Sequence, residues 1–369
     1  MGFLAAFLGG LFESASPDIY HRVLDREIVS GGHLWALVRH WRNAKPTAPE
    51  KIVRILDLAI EQNEPMAVGE CLIFALENAG TELVPPVESF YRRALRYLTE
   101  IGDTKWINMA WYLPTISAAF RVLSEDDARI LLNNMENAPR VGSHEERLLT
   151  YVAERYLRAV WDFFGVRLTH ERTKGNDARF EAVPFSFHGL EKPLSADPKL
   201  AIAMGRAWHS QDRDLFQFRG GRLLSAAFPH CTDAFADELS QLVSAGVVED
   251  AKLALSILRN YHGEPTAQAV LKAIVSCHVG DERTLDGVRA AFDNTGGVWG
   301  QYGMADALRN KKQAMVEWLA DERDQVRAFA EQHIRELELQ IAAEQRRAED
   351  DAEIRRHRFG DDDDGENVE

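Results

Sequence analysis

The strongest constraint in this sequence is a helical period of apolar residues that is interrupted at short intervals. Between residues 232 and 293, four segments follow one another about every 16 residues, each with a single apolar stripe: DAFADELSQLV, VVEDAKLALSIL, PTAQAVLKAIVSC and DERTLDGVRAAF. Glycine or proline separates most other helical segments as well. Short helices joined by tight turns predict an all-α fold of stacked antiparallel helix pairs, the rhythm of an α-solenoid.

Several helix ends can be located from the sequence. Ser16 and Asp197 each precede a proline, the pattern of an N-cap followed by the first helical residue. Ser143 and Glu146 occupy capping-box positions at the start of SHEERLLTYVAERYLRAVWDFFG, and Gly165 is expected to end that helix.

One segment departs from the helical period. Residues 166–198 contain three prolines, a KGND turn and two extended-looking stretches, which predict an irregular connector or a small hairpin. This segment divides the chain into an N-terminal helical block over 1–165 and a C-terminal block over 199–345. A charged helix and a disordered acidic tail are expected over 346–369.

Residues 311–337 resemble a known repeat family. After Trp318 and Leu319, the chain continues as D-x-V-R-x-x-A-x-x-x-I-x-x-L from Asp324 to Leu337. This pattern resembles the second helix of a HEAT repeat. The resemblance implies that Asp324 caps the helix, that Arg327 lies along the turn, and that the apolar positions pack between repeats.

The order of segments carries a second, fainter resemblance. The Pro/Phe-rich stretch over 180–198, the helices after it and the HEAT-like unit are similar in order to the helical C-terminal regions of large bacterial anti-phage defence proteins. Because no NTPase or nuclease motif precedes these segments, the resemblance implies a sensor, scaffold or accessory subunit rather than a defence enzyme.

Charge and cysteine content limit the class of partner and the compartment. The formal net charge is −15, which disfavours binding to phosphate backbones unless a local basic face exists. Cys71, Cys231 and Cys277 lie far apart and leave an odd thiol, unlike a secreted disulfide framework. A cytoplasmic protein with a protein partner is the expectation.

The opening residues MGFLAAFLGGLF contain no charged side chain. They are too few to span a bilayer, which takes about 20 residues, and they lack the positive n-region of a signal peptide. We expect a helix whose large apolar side chains pack on a neighbouring helix. Contact of residues 1–12 with a membrane surface or a partner is the alternative.

The sequence lacks recognisable catalytic motifs. It contains no phosphate-binding loop, zinc-protease helix or nucleophile elbow, and HEER at 144–147 lacks a second histidine. The pairs His230–Cys231 and Cys277–His278 could be imagined as zinc ligands, but adjacent residues on a helix seldom bind one ion. We therefore predict no catalytic residue, cofactor or metal, and an enzyme with a site built from distant residues is the least favoured function.

Three segments are candidates for partner binding. In HLWALVRHWRNAK, the spacing predicts that Leu34, Leu37, Val38 and Trp41 are buried. The other candidate residues are aromatic or basic and are expected at the surface or beside the connector: Trp35, Arg39, Arg42, Phe185, Phe187, Arg219 and Arg222.

Two functions remain open. The first is a non-catalytic protein-interaction scaffold or accessory subunit. The second is a nucleic-acid-contacting factor, which requires that five arginines converge on one groove: Arg39, Arg42, Arg92, Arg93 and Arg96.

Overall fold

The computed structural model describes residues 2–44, 48–79, 81, 90–110, 116–169, 180–211, 219–294, 299–300 and 302–359. The regular structure in these residues is helical, and no strand occurs among them, so the prediction of an all-α fold is confirmed. The chain forms two compact units, residues 1–196 and 197–369. Nothing in the described part of the chain is both long enough and apolar enough to form a bilayer-spanning helix.

The first unit contains eleven helices within its described residues. They are α1 (Gly2–Ser14), α2 (Pro17–Ser30), α3 (Leu34–Ala44), α4 (Pro49–Glu61), α5 (Pro65–Glu77), α6 (Tyr91–Glu100), α7 (Ile107–Ala110), α8 (Ile116–Val122), α9 (Glu125–Met135), α10 (Ser143–Thr169) and α11 (Glu191–Leu194). Helices that are close in chain order touch: α1 packs on α3, α3 on α5, α5 on α6, and α6 on α9.

The second unit contains eight α-helices within its described residues. They are α12 (Pro198–Gln211), α13 (Gly221–Ala227), α14 (Asp233–Ser244), α15 (Val248–Leu258), α16 (Pro265–Cys277), α17 (Glu282–Asp293), α18 (Gly303–Val316) and α19 (Asp324–Phe359). Here too alternate helices touch, with α14 packing on α16 and α15 on α17.

Hydrogen bonds between helices recur at a nearly constant spacing along the chain. In the first unit, Arg42 bonds Glu77 and the Tyr91 hydroxyl donates to the Asp127 carbonyl, 35 and 36 residues away. In the second unit, the Tyr261 hydroxyl donates to the Phe228 carbonyl, 33 residues away. Each of these bonds joins a helix, or the turn beside it, to a segment that lies about two helices away along the chain.

Helix α10 does not end at Gly165 as predicted. It continues to Thr169, with a kink at Tyr156 where φ is −129° and ψ is 53°. The reason is tertiary, because Arg167 and Leu168 beyond the glycine are both buried. Contacts made by these side chains outweigh the helix-ending preference of glycine.

Arg167 fastens the connector to α10. Its guanidinium donates to four backbone carbonyls, those of Glu136, Ala138, Glu181 and Ala182, at 2.6–3.1 Å. Burial lowers the pKa of Arg167 to about 10, so the group remains charged at neutral pH. Of the predicted connector 166–198, residues 166–169 belong to α10, and residues 180–197 are irregular backbone apart from α11, so these described residues form no strand of a hairpin. Residues 170–179 lie outside the described residues.

The segment that resembles a HEAT repeat matches the expected burial only in part, because Ile334 is only partly buried and the Asp324 side chain is 85% exposed. Val326, Ala330 and Leu337 on α19 are buried, as is Trp318 before it. Arg327 lies along the turn and donates to the carbonyls of Asp321 and Glu322, at 2.7 and 2.9 Å.

Beyond residue 345, α19 continues to Phe359. Ala348 is only 9% exposed, so one face of this polar stretch is covered rather than surrounded by water. The acidic residues 361–364 lie outside the described residues.

Candidate protein-binding groove

A groove of about 650 Å³ lies between α3, the start of α5 and residues 103–109 in the first unit. Its apolar lining comes from Trp35, Pro65, Met66, Trp106 and Met109. The rim is polar and carries charges of both signs, with Asn63, Glu64, Asp103, Lys105 and Asn108. A concave apolar surface with a few polar groups at its edge is the usual form of a binding site.

The wall formed by residues 106–109 is fixed in place. Trp106 is buried, and its indole Nε1 donates to Asn134 Oδ1 at 2.7 Å. Helix α5 comes close to this wall at Gly69, where an added Cβ would lie 3.3 Å from Trp106 Cβ and from Met109 Cε. The groove is therefore preformed on rigid elements.

The other side of the groove is open to solvent. Met66 is 60% exposed although it begins a buried helix. Trp35 is partly buried, and the guanidinium of Arg39 lies 5.2 Å from the centre of its ring. The flexible methionine thioether suits contact with varied apolar side chains.

The turn before α5 sets the edge of the groove. Asn63 adopts a left-handed backbone conformation with φ of 56°, and its Oδ1 accepts from the Tyr97 hydroxyl at 2.6 Å. This turn places Glu64 and Pro65 at the start of α5, so that Met66 projects beside Trp35.

The basic surface predicted on α3 is only partly present. Leu34, Leu37, Val38 and Trp41 are buried as their spacing predicted, and Arg39 is exposed. Arg42, however, is not a solvated side chain: its Nη2 and Nε bind Glu77 at 2.8 and 3.0 Å, and its Nη1 binds Glu70. The two acids lie on α5, one and three turns along a helix that packs on α3, a relation that local sequence does not reveal.

Three of the five arginines of the nucleic-acid hypothesis are paired with carboxylates, whereas Arg39 and Arg96 are exposed. In addition to the pairing of Arg42, Arg92 binds Asp127 at 2.7 Å and Arg93 binds Asp57. Charges neutralised by nearby carboxylates attract phosphate weakly.

The connector aromatics separate into two groups. Phe187 is 7% exposed and packs against Phe164, with ring centres 5.6 Å apart. Phe185 is 84% exposed. The structure thus keeps Phe185 at the surface and assigns Phe187 to the core, so Phe187 is not available to a partner.

The remaining candidates lie elsewhere. Arg219 and Arg222 belong to the second unit and flank the start of α13, both partly buried. The His230 ring faces Glu264 at 3.4 Å, and the Cys231 backbone N–H donates to the same carboxylate. No set of three metal-binding side chains is found among the described residues.

The first helix is only partly covered. Leu8 is fully buried on α3, whereas Phe3, Phe7 and Phe12 are 84%, 46% and 43% exposed. The rings of Phe3 and Phe7 stack with centres 6.3 Å apart. The prediction that the large apolar side chains of α1 pack inward is therefore wrong for Phe3, and Phe7 is only partly buried, whereas the Phe12 ring packs on Tyr20 and His40 with centres 5.2 and 6.4 Å apart.

Comparison with known proteins adds no family. No family model matches the sequence, and no curated protein matches it either. Among solved structures, an engineered protein with a crystal structure is similar at 14% identity over 90% of this chain and 94% of that chain, with a TM-score of 0.26. A structural similarity this low supports no conclusion about fold or function.

Proposed function

We propose that this chain is a non-catalytic protein-binding module, and that the groove beside Trp35 is its recognition site. The observation that carries the proposal is the juxtaposition of Trp35 and Met66, both solvent-accessible, on a preformed apolar surface. Exposed aromatic and methionine side chains in a rigid concave site are typical of the energetic centre of protein interfaces. The occupant is a protein segment that presents apolar side chains.

The wider scaffold of the proposal is an α-solenoid of HEAT-like helix pairs. Support comes from the contacts between alternate helices and from inter-helix hydrogen bonds at 33–36 residue spacing. Each repeat in such an array contacts mainly its neighbours and leaves an extended surface for binding. The module would act as the sensor, scaffold or accessory subunit of a larger assembly, in line with the resemblance to bacterial defence proteins.

The test compares groove variants with a matched surface control. Met66→Glu places a charge inside the groove, and Trp35→Ala removes its aromatic side chain. Val29→Glu makes the same kind of change at a side chain that is 85% exposed and lies outside the groove. Tagged wild-type and variant proteins are used to capture partners from the native host and to select from random peptide libraries.

We expect the same partner and the same apolar peptide motif with wild type and Val29→Glu, and loss of both with the two groove variants. Melting curves establish that each variant is folded. Equal capture by all four proteins would refute the groove as the recognition site. Partners released by nuclease treatment would favour the nucleic-acid hypothesis instead.

A further inference from the structure

A second cavity in the first unit collects polar side chains that the proposed protein-binding groove does not use. It has a volume of about 430 Å³ and lies between the first turns of α10 and the turn at residues 188–189. Its lining is Ser143, His144, Glu146, Arg147, Thr150, Tyr151, His188 and Gly189. The HEER segment at 144–147 has no second histidine nearby in the sequence, but His188 lies across the cavity from it.

Glu146 builds the cavity by fixing the turn opposite α10. Its carboxylate is buried, and Oε1 accepts the backbone N–H groups of His188 and Leu190, the latter at 3.2 Å. Glu146 therefore does not complete the predicted capping box. Glu145 takes that place, accepting the Gly142 N–H at 3.0 Å. Two donated N–H groups offset the negative charge of Glu146 within the lining.

Helical spacing places the other polar groups on one side. His144, Arg147 and Tyr151 are separated by three and four residues, so they share a face of α10. The Arg147 Nε donates to the Tyr151 hydroxyl at 3.1 Å, which orients the guanidinium and leaves Nη1 and Nη2 without a described hydrogen bond. His144 is oriented in turn by Asn108 Oδ1, 2.8 Å from its Nδ1.

The geometry points to a binding site for the phosphate group of a phosphate monoester. Arg147, Ser143 and His144 on α10 and His188 on the facing turn line one small space. Donors arriving from several directions suit a tetrahedral group with three or four oxygens better than a planar carboxylate with two. Tyr151, whose ring has the Arg147 guanidinium 6.0 Å from its centre and Phe120 stacked with centres 6.3 Å apart, adds an aromatic side chain to the lining beside the organic part of the ester.

Titration by ³¹P NMR with inorganic phosphate and with phenyl phosphate tests this site. We expect saturable binding of both probes, with phenyl phosphate binding at least as tightly. Arg147→Gln should raise both dissociation constants at least tenfold, and His188→Gln should raise them about threefold, through loss of charge-assisted hydrogen bonds. Arg158→Gln is the matched control, since Arg158 is exposed on the same helix and does not line the cavity.

Non-saturable binding, or equal weakening by Arg147→Gln and Arg158→Gln, would overturn the proposal by showing only general attraction to surface charge. Phenyl phosphate that fails to compete with inorganic phosphate would also overturn it. None of these results depends on the protein-binding groove, which is tested at different residues and with different probes.

Discussion

Helices α1 and α5 each contain 13 residues and few charged side chains, but they differ in burial. Every residue of α5 from Ala67 to Leu76 is buried. In α1 only Leu8 is fully buried, and three phenylalanines keep more than two-fifths of their surface in solvent. Two helices of similar composition therefore differ in how much of their apolar surface is buried.

The difference follows from the number of neighbouring helices. Helix α5 is covered by α3, α4, α6, α7 and α8, whereas α1 contacts α2 and α3. Apolar character makes a face available for burial, but the packing order decides whether another helix covers it. The sequence of a helix does not show which other helices will cover it.

The largest expected effect is in α5. Phe74→Ala removes a fully buried ring that contacts Phe90 edge-to-face, with centres 6.5 Å apart. We expect a loss of about 3–5 kcal/mol in the free energy of unfolding, as for other buried aromatic truncations. Urea denaturation measures it, and a loss below about 1 kcal/mol would show that α5 is not packed on all sides.

Leu8→Ala tests the covered side of α1. Leu8 is fully buried, so we expect a loss of about 2 kcal/mol, smaller than in α5 because fewer helices surround the new cavity. The same denaturation experiment gives the value. If unfolding is unchanged, α1 is not docked on α3 in solution.

The pH dependence of the free energy of unfolding tests whether His40, on the side of α3 that faces α1, is buried. His40 on α3 is buried against the rings of Phe12 and Tyr20, its Nε2 lies 2.7 Å from the Tyr20 hydroxyl, and burial lowers its pKa to about 4. Between the ordinary value of 6.5 and pH 4, the unfolded chain binds a proton that the folded chain rejects. Stability should therefore fall as the pH decreases through this interval.

His40→Leu supplies the comparison, because it cannot take up that proton. From pH 7 to pH 4.5, wild type should lose on the order of 2 kcal/mol relative to the variant. Parallel stability curves for the two proteins would mean that His40 is accessible to water and that α1 does not cover it.

The smallest expected effect is on the exposed side of α1. Phe3→Ser with Phe7→Ser replaces two solvent-exposed rings, and the free energy of unfolding should change by less than about 0.5 kcal/mol. A loss comparable to that of Leu8→Ala would show that this side is buried in solution, which size-exclusion chromatography with light scattering would then trace to self-association.

What could be predicted from the sequence was the part encoded in local spacing. The period of α3 identified Leu34, Leu37, Val38 and Trp41 as buried, and the repeated period along the chain predicted the all-α class. Of the groove lining, the sequence analysis identified Trp35, and it also identified Arg39, whose guanidinium lies over the Trp35 ring.

The other features of the groove and of the second cavity depend on contacts with residues far along the chain. The two acids that bind Arg42 lie 28 and 35 residues away, and nothing in the local pattern selects them over other acids. Met66 follows a helix-starting proline, and no local pattern marks its side chain as one that stays exposed. His188 joins the HEER segment only because Glu146 captures its backbone across 42 residues.

The regular distance between bonded residues also bears on how this chain reaches its structure. Tertiary hydrogen bonds that join residues 33–36 apart close only short loops, and the entropy lost on closure grows with loop length. Chains rich in such local contacts fold quickly, since no step must wait for distant ends to meet. Within each unit, we therefore expect folding to begin at pairs of helices that are close in sequence and to spread to adjacent pairs, even while the rest of that unit is still being synthesised.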